Sequence, residues 1–496
     1  MTEPASAALP AATDCIVIGS GAGGATTARA LVKQGYDVVI LEEGPDVPTS
    51  AFSADVQQMM KLLYRDNGLT PIMSKPNIAF TEGRCVGGST VINGGLCWRT
   101  PEDVLERWRK QHGLTQLTAE NLDPIFAQIE ADLHVREHNV RDDNQISQKL
   151  VAGANTLGWK LEAVKRAQKN CRNSNQCPTG CRNDAKQGMQ ITYVREARAA
   201  GARLQAQCRV EKIMVDGDRA QAVAGRLGSA GEKFQIAAKA IFCCGGTMQT
   251  PHLLKKSGIT HHVGRSLQLH FNAKVVAEFP DDIQPHVGTM MTAQVKEFSD
   301  RGISMGGSNF SPAYLALTLA PHGNAVITAV MERWRHMGIY LAQVQCSQHG
   351  RVRSIPGVDR PLPAYDIQRA DELNLYFSLQ HLGRLLFAAG AVRIYLPVRG
   401  SQPLQNEGEL QQYLDHGFRV RDMDLISVHA MSSCPMGGRP ESSATDACGR
   451  VHGLRNLYIQ DASILPSATG VNPQISIMGV VQRNMQEILF NKGQFI

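Results

Sequence analysis

Three cysteines stand close together in one polar stretch of the chain and could act as a set of thiolates. Cys171, Cys177 and Cys181 follow the spacing C-x5-C-x3-C among Asn, Gly and Pro residues, which favour a loop. Zinc prefers four ligands, so three thiolates fit it poorly. They suit an iron–sulfur cluster that lacks one iron, because each iron needs one protein sulfur. The spacing equally allows a loop in which the cysteines have only a structural role.

A glycine-rich turn near the start of the chain has the spacing of a dinucleotide-binding site. Gly19, Gly21 and Gly24 give G-x-G-x-x-G, and Glu42 lies eighteen residues after Gly24. Such glycines permit a tight turn and the approach of a pyrophosphate, which the following helix N-terminus attracts. A carboxylate at Glu42 can accept both ribose hydroxyls and would repel a 2′-phosphate, which disfavours NADP. The motif does not separate FAD from NAD, but its position at the start of the chain favours FAD.

The elements around this turn alternate between strands and helices. Residues 15–18 and 38–41 are apolar and predict two strands, and the residues between them predict a helix that ends near Gln34. Strand-like alternation recurs over residues 205–245 and 268–347. These elements predict an α/β fold in which the glycine turn joins a strand to a helix.

A further helix start is predicted after a later glycine pair. Gly245 and Gly246 follow an apolar run, and Thr250 can cap a helix whose first residue is Pro251. A final helix is predicted from about Ile475 to Asn491.

Length and composition narrow the class of protein. The chain has 496 residues, of which 43% are hydrophobic and 19% charged, and this excludes a disordered or fibrous chain. The length suits two or three domains. The formal net charge is +6, without a long basic run or an aromatic–basic stripe, so we expect no nucleic-acid partner.

The apolar runs and the first residues bear on localisation. A typical run, Leu385 to Val392, is well short of the ~18 residues that span a bilayer, so we expect no transmembrane segment. Residues 1–12 lack an apolar core and predict a disordered lead-in rather than a signal peptide. These features predict a cytoplasmic protein, or a periplasmic one that is exported together with a partner carrying the signal.

Four further segments complete a recognisable order of motifs. They are Gly83–Gly95, Gly245–Gly258, His429–Gly437 and Gly453–Gln474. Together with the first glycine turn, they resemble the glucose–methanol–choline (GMC) family of FAD oxidoreductases, over residues 13–270 and 425–491. The second signature departs from the family pattern at Thr260, where the family has a glycine.

The resemblance implies a set of catalytic and cofactor-binding residues. His429 matches the family's catalytic histidine, and Asn472 falls where the family has a second histidine or an asparagine. The implied reaction is hydride transfer from an alcohol carbon to flavin N5, with His429 taking the hydroxyl proton and Asn472 holding the substrate oxygen. The residues implied to bind FAD are Gly19, Gly21, Gly24, Glu42, Gly87, Gly88, Ser89, Asn93, Gly94, Val210, Asp461, Ala462 and Pro473.

The resemblance also bears on the cysteine loop and on the substrate. The catalytic subunit of a bacterial FAD glucose dehydrogenase has a similar loop and holds a three-iron–four-sulfur cluster with it. Members resembling long-chain-alcohol oxidases have a related loop whose ending is closer to Asp184–Gly188 here, and they need not hold a cluster. A cluster would pass electrons to a cytochrome or another acceptor, whereas a flavin without one could reduce oxygen or a quinone. Segments 350–353, 361–365 and 388–391 resemble the long-chain-alcohol branch and favour a hydrophobic alcohol.

The family fold predicts a discontinuous Rossmann-like FAD-binding domain and an interleaved α+β substrate domain on a mostly antiparallel sheet. We assign residues 13–100, 190–272 and 425–496 to the first domain. Residues 101–189 and 273–424, including the cysteine loop 171–181, are assigned to the second. Two other functions remain open: a hydroxynitrile-lyase-like enzyme in which FAD is structural, and an electron-transfer or sensing subunit centred on the cysteine loop.

Overall fold

The computed structural model describes residues 9–137 and 143–490, so residues 1–8 of the predicted lead-in and Asn491 of the predicted final helix lie outside it. Within these residues the strands are β1 (Ala12–Ile18), β2 (Val38–Leu41), β3 (Thr70–Ile72), β4 (Ile78–Phe80), β5 (Val135–Glu137), β6 (Leu161–Ala163), β7 (Lys165–Ala167), β8 (Arg203–Gln205), β9 (Cys208–Asp216), β10 (Arg219–Leu227), β11 (Glu232–Cys243), β12 (Gln268–Glu278), β13 (Ala293–Val295), β14 (Ile303–Gly307), β15 (Met337–Gln345), β16 (Arg351–Arg353), β17 (Leu362–Ala364), β18 (Arg393–Tyr395), β19 (Leu425–Met431) and β20 (Leu457–Ile459). The α-helices are α1 (Ala22–Val32), α2 (Val56–Leu63), α3 (Glu102–His112), α4 (Ala119–Asp132), α5 (Gln145–Leu157), α6 (Tyr193–Ala199), α7 (Gly246–Lys256), α8 (Pro312–Thr318), α9 (Asn324–Met331), α10 (Arg369–Ala388), α11 (Glu407–His416) and α12 (Gln474–Phe490).

The first large sheet contains the predicted strand–helix–strand unit. Its described strands run in the order β8-β2-β1-β11-β10-β9, and β20 pairs with β11. The β8, β2, β1, β11 and β20 pairings are parallel, whereas β9, β10 and β11 form an antiparallel meander. The strands β1 and β2 are almost wholly buried, as expected for strands covered on both faces. The Rossmann-like prediction is confirmed.

The second large sheet is mainly antiparallel. The order of its described strands is β3-β4-β19-β12-β15-β14-β13-β6, and β18 pairs with β12. Every recorded pairing is antiparallel except that of β4 with β19, so the sheet is mixed rather than purely antiparallel. The predicted division of the chain into two domains stays a prediction.

Strand β12 separates an apolar face from a polar one. Leu269, Phe271, Ala273 and Val275 are fully buried in a core that α10 covers with Leu375, Leu379, Leu382 and Leu386. Because side chains alternate along a strand, the even-numbered residues point to the opposite face. Among them are a histidine, an asparagine and a lysine, which is an unusual face for a central strand and indicates a site.

The helix predicted to begin at Pro251 begins at Gly246 instead. Pro251 lacks an N–H, so it cannot bond to the carbonyl of Thr247 four residues earlier. The hydroxyl of Ser433 donates to that carbonyl at 2.6 Å, which satisfies the acceptor that the proline leaves open. A contact from a distant segment therefore lets the helix continue through the proline.

None of the helices in the described ranges 9–137 and 143–490 is both long and apolar enough to cross a membrane.

Candidate active site

A deep cavity of about 440 Å³ lies where the carboxyl ends of the parallel strands of the first sheet meet the polar face of the second. This volume falls in the ~300–1,000 Å³ range of ligand sites. The predicted residues that line the cavity are Gly19, Gly21, Glu42, Gly88, Ser89, Asn93, Gly94, Val210, His429, Asp461, Ala462, Asn472 and Pro473. One fold thus brings together segments that lie far apart in the sequence.

Two of the three glycines in the first turn pack without room for a side chain. A Cβ on Gly19, whose φ is +100°, would lie 2.4 Å from the carbonyl oxygen of Cys244. A Cβ on Gly24 would lie 2.0 Å from the carbonyl oxygen of Gly19, so Gly24 serves helix packing and does not line the cavity. Gly21 has its nearest recorded neighbour at 4.0 Å, the Cα of Gly88, and faces the cavity. The three glycines therefore have different roles.

The N-terminus of α1 is open toward this cavity. Gly21, its N-cap, supplies no side chain, and the first intrahelical bond runs from the N–H of Ala25 to the carbonyl of Gly21. The N–H groups of the first turn are thus the orphan donors found at every helix start. Gly21, Ala22 and Gly23 line the cavity, so these donors and the positive end of the helix dipole fit a pyrophosphate.

Ser20 connects three parts of the site. Its N–H and its hydroxyl donate to Glu42 at 3.0 and 2.7 Å, and its hydroxyl accepts from the N–H of Gly87 at 3.0 Å. The other oxygen of Glu42 accepts from Gly44 at 2.8 Å. Burial raises the pKa of Glu42, although these hydrogen bonds favour the carboxylate. The oxygen bound by Ser20 already accepts two hydrogen bonds, whereas the oxygen that accepts from Gly44 keeps capacity for a ribose hydroxyl. Gly87 holds the second glycine loop in place and does not line the cavity.

Asp461 uses both carboxylate oxygens on the protein. One accepts from the N–H of Gly246 at 2.8 Å and from the hydroxyl of Thr250 at 2.5 Å, and the other accepts from Ser463. The carboxylate thereby joins the start of α7 to the segment that carries Ala462. Burial raises its pKa. The structure thus places Asp461 at the cavity wall as a group that orients two backbone turns.

His429 and Asn472 meet at the same point of the cavity wall. His429 lies on β19, and its Nε2 is 3.2 Å from Nδ2 of Asn472, which precedes α12. The Oδ1 of Asn472 is buried and has no hydrogen-bond partner among the described residues. An orphaned acceptor beside a histidine in a cavity suits a ligand hydroxyl.

A second histidine lies behind His429. His270 faces it directly across β12 and β19, and the two Nδ1 atoms are 3.1 Å apart. The N–H of Gly470 donates to Nε2 of His270 at 3.2 Å. Burial lowers the pKa of His429 to about 4 and the pKa of His270 well below its ordinary value, so both rings are neutral at pH 7.

Two hydrogen bonds favour opposite positions for the proton that the two histidine rings share. Because Nε2 of His270 accepts from Gly470, neutral His270 carries its proton on Nδ1 and donates it to His429, whose own proton then lies on Nε2. The amide N–H of Asn472 favours the other tautomer, in which Nε2 of His429 holds a lone pair. Depending on which tautomer the pair adopts, Nε2 of His429 is therefore a hydrogen-bond donor or a hydrogen-bond acceptor.

The three loop cysteines do not line this cavity, although Pro178, next to Cys177, does. Cys171, Cys177 and Cys181 line a separate cavity of about 20 Å³, where Arg166 donates to the sulfur of Cys177 at 3.3 Å. Across the part of the chain that the structure describes, no group of three or more His, Cys, Asp or Glu side chains is arranged to hold a metal ion. The cluster and the structural loop both stay predictions.

Lys186 ties the cysteine loop to the second glycine loop. Its Nζ donates to the carbonyls of Val91, Asn93 and Cys177 at 2.5, 2.8 and 2.6 Å. Burial lowers its pKa to about 8, and the neighbouring thiols partly oppose that shift. Arg166 similarly donates to the carbonyl of Gly94 at 2.7 Å.

Sequence reasoning missed His270, Lys274 and Lys186 as parts of the site. A signal for the first two was present, since Gln268, His270, Asn272 and Lys274 alternate with apolar residues in one predicted strand. Such alternation shows which residues share a face, but not that the polar face covers a ligand cavity. Lys186 had no sequence signal, because its partners are backbone carbonyls.

The chain matches the family model of GMC oxidoreductases at residues 60–272 for the N-terminal part and 348–480 for the C-terminal part. A model of NAD(P)-binding Rossmann-like domains matches residues 17–77. An uncharacterized GMC-type oxidoreductase of Sinorhizobium fredii is 33% identical over 97% of this chain and 95% of its own length. A long-chain-alcohol oxidase of Arabidopsis thaliana is 26% identical over 94% of this chain and 66% of its own length.

Solved structures share the fold over nearly the whole chain. Pyridoxine 4-oxidase from Mesorbium loti gives a TM-score of 0.74 at 16% identity, covering 97% of this chain and 99% of that chain. A formate oxidase from Aspergillus oryzae, studied for its FAD modification, gives a TM-score of 0.74 at 14% identity, covering 99% and 100%. At such identities the likeness concerns the fold.

Proposed function

The chain belongs to the GMC oxidoreductase family, and on this premise we propose that it oxidises an alcohol to an aldehyde or ketone with FAD as cofactor and His429 as the base. The observation that carries the proposal is the contact of His429 with Asn472, whose free Oδ1 lies in the same cavity as the open N-terminus of α1. When bound, FAD supplies the hydride acceptor.

The chain's own groups fit the cofactor. The open first turn of α1 suits the pyrophosphate, and the free acceptor site of Glu42 suits a ribose hydroxyl. Val210 lines the cavity wall near the segment of Glu42. The second glycine loop is held against Gly21, since a Cβ on Gly88 would lie 3.0 Å from the Cα of Gly21. These groups bind and orient, and they carry no reactive atom.

His429 exchanges a proton with the substrate oxygen at Nε2. That role requires the tautomer with a lone pair on Nε2, which the amide of Asn472 supports. In that state the shared proton lies on Nδ1 of His429, and the proton that leaves Nε2 of His429 is balanced by one on Nε2 of His270. The Gly470 N–H then faces a donor instead of an acceptor, at a cost of about 1–3 kcal/mol. This cost is small beside a catalytic barrier, so the base role and the observed hydrogen bonds are compatible. The amide N–H of Asn472 then turns from His429 to donate to the substrate oxygen, which leaves the Nε2 lone pair to take the hydroxyl proton.

The acceptor of the electrons is a separate question. The names of the long-chain-alcohol oxidases and of pyridoxine 4-oxidase support oxygen, while a cluster at the cysteine loop would support a cytochrome or a quinone. We propose a non-NAD acceptor. Iron and acid-labile sulfide in anaerobically purified protein, together with a low-temperature EPR signal, would establish the cluster, and their absence would assign the cysteine loop a structural role.

The flavin spectrum tests the proposed reaction. We expect an alcohol to bleach the flavin absorbance of the wild-type protein under anaerobic conditions. His429→Ala should abolish bleaching while FAD stays bound, and Asn472→Ala should slow it by about 10- to 100-fold, as for loss of one oxyanion-type donor or less. Bleaching that persists in His429→Ala would remove the base role. Turnover of cyanohydrins without bleaching by any alcohol would instead identify a lyase.

A further inference from the structure

Strand β12 places a lysine in the cavity four residues from His270. Lys274 shares its face of the strand with His270 and Asn272, and both Asn272 and Lys274 line the cavity. Among the described residues that the second sheet contributes to the lining, Lys274 and His429 are the ones that can carry a charge. His429 is neutral at pH 7, so Lys274 supplies the positive charge of this wall.

The ammonium of Lys274 has no partner within the described part of the chain. It makes no hydrogen bond there and no ion pair within 4.0 Å. Burial lowers its pKa to about 8, and the charge of Asp424 partly opposes the shift without forming an ion pair. Lys274 is half-buried and lines the cavity, so a ligand that enters the cavity meets a cation without a protein partner. A lysine in this state at a cavity wall therefore points to an anionic ligand.

The groups around Lys274 fit a single carboxylate. The Asn272 side chain also makes no hydrogen bond with the described residues, and its amide can donate to a second carboxylate oxygen. Neighbouring strands add the apolar side chains of Leu341, Ile426 and Val428 and the amides of Gln294 and Gln343 to the lining. One cation and one amide donor match a charge of −1 better than a phosphate, which carries about −1.5 to −2 at neutral pH.

We propose that the substrate of the alcohol oxidation is a hydroxycarboxylate, held by Lys274 and Asn272 at its carboxylate while its hydroxyl lies against His429 and Asn472. This proposal rests on the proposed function. Four residues of strand separate His270 from Lys274 by roughly 13 Å between Cα atoms. The hydroxyl and the carboxylate are therefore several bonds apart, joined by a chain that contacts the apolar lining, and a 2-hydroxy acid is too short.

The test compares three substrates of one chain length: an ω-hydroxycarboxylate, its methyl ester and the corresponding primary alcohol. With the wild-type protein, kcat/KM should favour the carboxylate over the ester by about 10- to 100-fold, as expected for one charge-assisted contact. In Lys274→Met this ratio should fall to about threefold or less, and Lys274→Arg should keep most of it. Lys233→Met, at an exposed position of β11, is the matched control and should keep the ratio.

Two outcomes overturn the proposal. The proposal is wrong if the wild-type protein oxidises the ester or the plain alcohol with the same kcat/KM as the carboxylate. It is also wrong if Lys274→Met keeps the wild-type preference for the carboxylate. If Lys274→Met fails to fold, the comparison of carboxylate and ester with wild-type protein decides alone.

Failure of the proposed function is separable from failure of this inference. Calorimetric binding of a saturated carboxylate without a hydroxyl reports on the subsite even if no alcohol is oxidised. Binding that is lost in Lys274→Met and kept in Lys233→Met would support the carboxylate subsite on its own. Oxidation of alcohols with no carboxylate binding would leave the reaction standing and remove the subsite.

Discussion

Nδ1 of His270 lies 3.1 Å from Nδ1 of His429, and the two residues are direct partners across β12 and β19. Their rings meet edge to face, at an interplanar angle of 89°. Register in a sheet with one buried face is strongly specified, so the contact is set by the pairing of the two strands. The base proposed for the reaction is thus positioned by a residue that does not face the substrate.

Replacing His270 tests this positioning. His270→Leu removes the partner of Nδ1 of His429, and we expect kcat to fall by about 10- to 100-fold with little change in KM, since one buried hydrogen bond is lost. The amide oxygen of His270→Gln can accept the Nδ1 proton of His429, which is the direction that the base role requires, so this variant should recover most of the rate. A Leu variant with wild-type kcat, or a Gln variant no better than Leu, would contradict the role.

The lowered pKa of His429 predicts how the activity depends on pH. Burial lowers its pKa to about 4, and only the neutral ring can take a proton. Activity measured as kcat/KM with a dye acceptor should therefore hold from pH 8 down to about pH 5 and fall near pH 4. A limb at the ordinary histidine pKa of ~6.5 would mean that the ring is not buried as described. Because the unfolded chain binds protons more readily than this buried pair, stability should also decline as the pH drops from ~6.5 toward 4.

The first glycine turn offers a matched pair of substitutions. Gly19→Ala puts a methyl group 2.4 Å from a carbonyl oxygen at a φ of +100°, so it should lower the free energy of unfolding by at least about 2 kcal/mol. Gly21→Ala has its nearest neighbour at 4.0 Å and a φ of −68°, so the apoprotein should keep its Tm. Its methyl group enters the cavity and should weaken FAD binding. Thermal unfolding and FAD titration of the apoproteins measure both effects, and equal losses of Tm would refute the distinction.

The contacts of Lys186 predict that the cysteine loop influences the affinity for FAD. Lys186→Met removes three charge-assisted donations to carbonyls of two loops, including those of Val91 and Asn93 beside the cavity. We expect a lower Tm and weaker FAD binding. Lys169→Met changes an exposed lysine of the same segment and should alter neither. Unchanged FAD affinity in Lys186→Met would show that the loops hold their positions independently.

The parts of the fold that sequence predicted were those governed by local patterns. The unit β1–α1–β2 follows from glycine spacing and two apolar runs, and the structure has the predicted helix between the two strands. The resemblance to the family implies that His429 and Asn472 act at one site, and their side chains are in contact. Their roles in the reaction stay a prediction.

What sequence did not predict depends on contacts between distant segments. The start of α7 was misplaced because Ser433, far along the chain, satisfies the carbonyl that Pro251 leaves open. His270 was not recognised because its importance comes from strand register, which one strand alone cannot reveal. Lys186 donates to backbone carbonyls, which every residue has, so no residue type in the sequence indicates its partners.

The cavity walls come from segments near the two ends of the chain, and this separation affects folding during synthesis. Asn472 follows Gly21 by 451 residues, so translation of the intervening chain separates the synthesis of the two walls. Contacts between such distant segments form slowly, because a long loop must close first. FAD can be enclosed only after this assembly, and it then stabilises the folded chain by mass action. The yield of folded enzyme in a cell should therefore rise with the supply of riboflavin during its synthesis.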